Sequence, residues 1–215
     1  GMAACGIPPG NGATDHGPAH GLREPALLRQ PPGTHRLAGA TGTKTTRLAD
    51  LDGVFHDPLA FAAALAAAPD AIAYQVHEHR PTTSAGDLIS GLSVLRPGRV
   101  GDEFLMTRGH IHARPDRPEI YACRHGHGLM HMEAPDGTTR IAALAPGDIV
   151  HVPPHWIHRS VNIGETVFET LFCYPADSGQ DYEVIRAANG LRSLIVADGS
   201  GGWREVPNPR WRPRD

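Results

Sequence analysis

Cysteine is scarce in this chain, long apolar runs are missing, and neither sign of charge dominates. Three cysteines, Cys5, Cys123 and Cys173, are scattered through 215 residues without paired spacing. That excludes a disulfide scaffold and predicts free thiols in a reducing compartment, the cytoplasm by default. No segment approaches the roughly 18 consecutive apolar residues that a membrane-crossing helix needs, and none has the charged-then-apolar form of a secretory leader. Gly1 ahead of Met2 reads as a scar left by an expression tag. The formal net charge of -3 gives no basic field for nucleic acid. The length fits one domain with a real core, or one domain with extensions.

Two compositions divide the chain. Residues 1–43 are rich in Gly, Pro, Ala, Thr and His. They are expected to form an extension that is a mobile tail or packs on a partner subunit. Residues 44–215 form the domain. Leu48–Leu51 leads toward a helix with Asp57 as N-cap, Pro58 in the first turn and an Ala-rich body through Ala68, stopped by Pro69 and Asp70. From Ala71 the pattern changes to short apolar runs. These are Ala71–His77, Asp87–Leu95, Glu103–Thr107, Ile120–Arg124, Gly128–Glu133, Thr139–Leu144, Asp148–Val152, Arg159–Ile163 and Thr166–Tyr174. Gly/Pro turns such as Pro97-Gly98 and Pro146-Gly147 separate them. Many short strands with regular punctuation predict an all-β sandwich or barrel. Asp181–Ala188 is a candidate short helix and Leu194–Val196 a late strand. No internal repeat is visible.

The chemistry is concentrated in Gly109-His110-Ile111-His112, then Glu119, then Pro153-Pro154-His155-Trp156-Ile157-His158. On a strand, His-x-His puts both imidazoles on one face, because side chains repeat every second residue. Three imidazoles and one carboxylate form a mixed nitrogen and oxygen donor set suited to a first-row transition metal. Four protein ligands still leave room for substrate if the metal is five- or six-coordinate. Gly126 follows Glu119, Gly147 precedes Pro153, and Asn162 follows His158. This two-part spacing resembles the cupin superfamily, a jelly-roll β-barrel with a metal in its mouth. The gap between His112 and Glu119 is longer than the usual cupin gap, and Pro115 and Pro118 suit a wider loop there. His155 stands where the second motif commonly has Gly.

A longer match is more specific. Thr107-Arg108-Gly109-His110-Ile111-His112, Asp116-Arg117-Pro118-Glu119-Ile120-Tyr121, Gly147 through Arg159, Tyr174-Pro175-Ala176-Asp177, Asp181-Tyr182 and Asn208-Pro209-Arg210-Trp211 follow one another in chain order. Together they resemble the cupin-type glucose-6-phosphate isomerases, over about residues 45–211. The resemblance implies a homodimer, one divalent metal per subunit, and interconversion of glucose 6-phosphate and fructose 6-phosphate. It implies His110, His112, Glu119 and His158 as metal ligands, with Fe(II) the first choice and Mn, Ni, Co or Zn able to occupy the site. It implies sugar and phosphate contacts at Tyr74, Ser93, Thr107, Gly109, Tyr174 and Tyr182. Ser93 stands where Thr is usual, and Arg96 and Arg108 where other members carry Tyr and Lys.

Other residues in the chain have plainer roles. Arg124-His125-Gly126-His127-Gly128 also spells His-x-His, but its glycines predict an exposed hairpin. His77 and His79 end a strand and are expected to be solvated. His155 cannot share a strand face with His158 and is expected at the rim. Each Tyr is by default a packed aromatic with a satisfied hydroxyl. Tyr121 shares the face of Glu119 and is a candidate substrate neighbour. Glycine at 109 lets a backbone N–H approach an anion, with the Thr107 hydroxyl beside it.

Aldose–ketose isomerisation needs a base at C2 and stabilisation of charge on O1 and O2. Glu119 is the only carboxylate of the expected ligand set, so it is the candidate base, with a hydride shift as the alternative. Two other functions fit a cupin: an Fe(II)-dependent oxygenase and a non-catalytic sugar-binding protein. The sugar and phosphate residues discriminate against the first. Intact ligands and the lack of an appended DNA-binding region discriminate against the second.

Overall fold

The computed structural model describes residues 22–214. About half of the expected extension, residues 1–21 with Cys5, lies outside the described residues. Among those described, β1 (Gly42–Arg47) leads through a 3-10 turn at Leu48–Leu51 to α1 (Pro58–Ala67). Then come β2 (Ile72–His79), β3 (Leu88–Leu95), β4 (Arg99–Val100), β5 (Glu103–Phe104), β6 (Glu119–His125) and β7 (Gly128–Glu133). β8 (Thr139–Leu144), β9 (Ile149–Val152), β10 (Ile157–Asn162) and β11 (Phe168–Pro175) follow, and α2 (Glu183–Ala187), β12 (Ser193–Ala197) and β13 (Trp203–Pro207) close the chain. Helix α1 starts as expected: the Asp57 carboxylate accepts from the Leu59 and Ala60 amides at 2.9 and 3.0 Å.

The fold is all-β, an antiparallel jelly roll as expected. A six-stranded sheet runs β1-β2-β3-β11-β6-β9 and faces a three-stranded sheet, β10-β7-β8. A small sheet, β13-β12-β5-β4, lies apart from both. The main core holds Tyr74, Leu95, Phe168 and Phe172 from the large sheet with Leu129, Met130 and Val161 from the smaller one.

β3 and β11 are covered on both faces, which is why they read as nearly continuous apolar runs. Their outward Leu92, Val94 and Leu171 meet Leu37 of residues 28–40, which pack across the outside of the large sheet. Gln30 donates to Glu169 at 3.0 Å, and the His35 ring lies 2.6 Å from the same carboxylate. Burying Leu92 and Leu37 stabilises by roughly 1.5–3 kcal/mol each, against about 0.5–1.5 for an ordinary hydrogen bond. Apolar cover therefore dominates the attachment of this segment.

Three expectations are corrected. The strand expected over Glu103–Thr107 stops at Phe104. Beyond it, Met106 makes only an isolated bridge to Val161, and Thr107 is held by Ser160 across the barrel. The turn at His125-Gly126-His127 does join two strands and both histidines are exposed, but it is not a hairpin. β6 and β7 belong to different sheets. Gly126, at φ +74°, carries the chain across, and a Cβ there would come within 2.2 Å of the Val167 carbonyl oxygen. His77 is buried at the strand end rather than solvated, and its Nδ1 lies 2.9 Å from the Thr43 hydroxyl. β1 and β13 were not foreseen; their side chains are mostly polar or exposed.

One buried histidine gives the fold a pH dependence. His131 is 2% exposed, with Nε2 2.9 Å from the Ser193 hydroxyl. Burial, reinforced by the Arg159 charge, pushes its pKa from 6.5 down to about 3. The unfolded chain takes up a proton below pH 6.5, and the folded chain does so only near 3. Stability therefore falls as pH drops through that window, by about 1.4 kcal/mol per pH unit for this residue. Urea unfolding between pH 6.5 and 4 should show a shallower decline in His131→Gln. An unchanged slope would remove His131 from this account.

Candidate metal centre and cavity

His110, His112, Glu119 and His158 converge, and their ligand atoms all lie within 4.8 Å of one another. They come from three parts of the barrel. His110 exchanges two backbone hydrogen bonds with His158, at 3.1 and 3.0 Å, so each fixes the other's position. The segment carrying His110 and His112 makes single bridges rather than a continuous ladder. Its extended backbone still turns both rings the same way, with centroids 5.5 Å apart. Glu119 opens β6, and His158 lies on β10 of the opposing sheet.

The rings are oriented from behind. His112 Nδ1 donates to the Arg117 carbonyl at 2.7 Å, and His158 Nδ1 donates to the Trp156 carbonyl at 3.1 Å. A carbonyl can only accept, so each Nδ1 carries a proton and each Nε2 is the ring atom turned toward Glu119. Those two Nε2 atoms lie 3.0 Å from Glu119 Oε2, and His110 Nε2 lies 3.7 Å from it. His110 Nε2 is buried with no hydrogen-bond partner. Burial, then the neighbouring His158, pushes the His110 pKa down to about 4, so this ring is neutral at pH 7. Burial raises the Glu119 pKa, but its three histidine neighbours outweigh that and hold it well below the usual range. Three imidazole nitrogens and a carboxylate oxygen converge on one point. The donor set fits a divalent transition metal.

The wide loop before Glu119 is present and has a second use. Arg114 and Arg117 both pair with Asp177, at 2.6 and 2.7 Å, which ties the loop to the end of β11. The same loop supplies the carbonyl that orients His112. Sequence reading missed this, since any residue provides a carbonyl. His155 is exposed and is not among the residues lining the cavity described below. It adopts φ +72°, the left-handed region, which explains why Gly is usual at this motif position.

A cavity of about 290 Å³ opens beside the cluster. Tyr74, Ser93, Thr107, Gly109, Tyr121, Tyr174 and Tyr182 all line it, so every residue expected to contact substrate is brought together. His110, Glu119 and His158 face it as well. Thr107 Oγ1 accepts from the Ser160 amide at 3.0 Å and keeps its own proton to donate. Gly109 has φ +78°, and a Cβ there would strike Ile185 and Arg159 at 2.8 and 2.9 Å. Tyr174 accepts from Arg80 at 3.3 Å, and burial pushes its pKa well up. Burial, then the Glu119 charge, raises Tyr121 well above its ordinary value. Both phenols are therefore hydrogen-bond donors at neutral pH, not bases. Arg96 is not among the lining residues, and Arg108 reaches to the Asp50 carbonyl. Glu78, Arg80 and Gln180 line the cavity without having been anticipated. Glu78 and Arg80 fall on the face of Tyr74 and Val76 by strand alternation, a signal the sequence did contain.

The family model described as glucose-6-phosphate isomerase (GPI) matches residues 45–212. A protein named glucose-6-phosphate isomerase from Sinorhizobium medicae is 50% identical over 194 residues, covering 90% of this chain and 91% of its own. Putative glucose-6-phosphate isomerase 1 of Rhizobium meliloti is 48% identical over the same shares. The glucose-6-phosphate isomerase of Pyrococcus furiosus is 42% identical over 166 residues, 77% of this chain and 86% of that one. Among solved structures, recombinant oxalate oxidase in complex with glycolate superposes with a TM-score of 0.44 at 17% identity, over 53% of this chain and 56% of that one.

Proposed function

Since the chain belongs to the glucose-6-phosphate isomerase (GPI) family, we propose that it interconverts glucose 6-phosphate and fructose 6-phosphate in the cavity bounded by His110, Glu119 and His158. The observation that carries this reading is the joining of a metal-ligand cluster to a hydroxyl-rich cavity of about 290 Å³. A divalent metal, Fe(II) in the first place, held by His110, His112, Glu119 and His158 supplies Lewis acidity toward the sugar oxygens O1 and O2.

The chain's own groups do the rest. Glu119 takes the proton from C2 of the open-chain aldose and returns it to C1, while the O2 hydroxyl proton passes to O1. Its depressed pKa keeps it ionised for the first step. Tyr121 and Tyr174, protonated at neutral pH, donate hydrogen bonds to sugar hydroxyls. Thr107, Ser93 and the backbone at Gly109 receive the phosphate, since a glycine with φ +78° lets an anion approach the amide closely. Tyr74 and Tyr182, which also line the cavity, contact the sugar phosphate. A homodimer in the cytoplasm belongs to the same reading. Among the described residues no helix is long and apolar enough to cross a membrane, and Cys123 and Cys173 are free.

The test is a coupled assay on the metal-loaded protein. Fructose 6-phosphate should yield glucose 6-phosphate, and mannose 6-phosphate should be assayed beside it. No turnover of either substrate across the five candidate metals would refute the reading.

A further inference from the structure

Of the 20 lysine and arginine residues in the sequence, only Lys44 is a lysine. It lines the same cavity as Glu119. Lys44 stands on β1 directly across from Val76 of β2, and Val76 stands across from Ser93 of β3. The three therefore share one row of the inner face, about 5 Å per strand step. The ammonium lies 5.5 Å from the centre of the Tyr182 ring, a cation–π contact that holds it over the mouth. Glu119 lies on β6, four strands away in the same sheet, so the two residues mark opposite ends of the cavity.

The other cations lining the cavity are differently placed. Arg80 is bound by both oxygens of Glu78, at 3.1 and 3.2 Å, which cancels its charge. Arg159 is 6% exposed and bonds the Met106 sulfur and the Arg108 carbonyl. Among the described residues Lys44 makes no ion pair, so its charge is available to a ligand. Hydroxyls and one backbone amide do not neutralise a phosphate dianion.

We propose that Lys44 is the charge-neutralising residue of the phosphate end of the cavity, and so sets the preference for phosphorylated over free sugars. This rests on the isomerase reading and adds to it a residue outside the expected contact set. A compact ammonium on a flexible stem can follow the phosphate as the substrate opens its ring, where a guanidinium would impose a fixed fork.

Two measurements on the metal-loaded full chain test it. In Lys44→Met, KM for fructose 6-phosphate should rise roughly 10- to 100-fold with kcat within about twofold, and most of the salt dependence of kcat/KM should vanish. Lys44→Arg should restore most of the affinity. The second measurement needs no turnover. Pyridoxal phosphate followed by borohydride should label Lys44, the only side-chain amine, as read by peptide mapping. Inorganic phosphate should protect it and free fructose should not. An unchanged KM in Lys44→Met, or labelling indifferent to phosphate, would overturn the proposal while leaving the isomerase reading intact. A wild-type protein that turns over no sugar phosphate, yet shows phosphate-protected labelling, would overturn the isomerase reading and keep the anion site.

Discussion

Glu119→Gln is expected to lower turnover of glucose 6-phosphate by about 10²–10⁴-fold, the usual contribution of a positioned general base. The amide cannot accept the C2 proton. Metal content should largely survive, because His110, His112 and His158 remain and the amide oxygen is still a weak ligand. Two facts make the residue suitable. Its carboxylate lies among three imidazoles and is held well below the ordinary range, and it faces the cavity. In the native enzyme solvent deuterium should enter the product, since a proton held on a carboxylate exchanges. Near-native turnover in Glu119→Gln at full metal occupancy would reduce Glu119 to a ligand. So would product free of solvent isotope under all conditions. A hydride shift between C2 and C1 would then account for the reaction.

Removal of the metal is expected to abolish activity and to destabilise the fold. His110 Nε2 is buried without a partner, and Nε2 of His112 and of His158 lies 3.0 Å from an ionised oxygen. Stripping the cation leaves these buried polar atoms without its bonds, which costs free energy. At a metal concentration one hundred times the dissociation constant, binding stabilises by about 2.7 kcal/mol. For a domain of this size that corresponds to a melting shift on the order of 5–10 °C. Chelation followed by calorimetry and the coupled assay should show both losses, and adding back Fe(II) should reverse them. Full turnover by protein shown to be metal-free by elemental analysis would exclude a metal-dependent mechanism.

The site was legible because its residues carry type-specific chemistry at fixed spacing. Only histidine and carboxylate supply that donor set, and the turn glycines and prolines around them force one chain path. Asp57-Pro58 marked the start of α1 for a similar reason, since a side chain there replaces missing backbone partners. β1 left no such trace. Its residues Gly42–Arg47 are almost all exposed, and an edge strand is held by backbone hydrogen bonds that any sequence can offer. Lys44 was lost with it, because a lysine on an unrecognised strand has no face. The Arg117 and Trp156 carbonyls were hidden for the same cause: the backbone carries no residue identity.

By itself the sequence determined an all-β barrel, the four residues of the converging His/Glu cluster and the family. Local periodicity and side-chain chemistry are properties of the chain alone. The tertiary structure decided which strands meet. It placed β6 and β7 in different sheets, although only Gly126 and its neighbours separate them. It laid residues 28–40 over Leu92 and Val94, and it brought Lys44 into the cavity of Glu119. Pairing across long sequence separations is selected by the burial of whole apolar faces at once, and no short window of sequence contains that information.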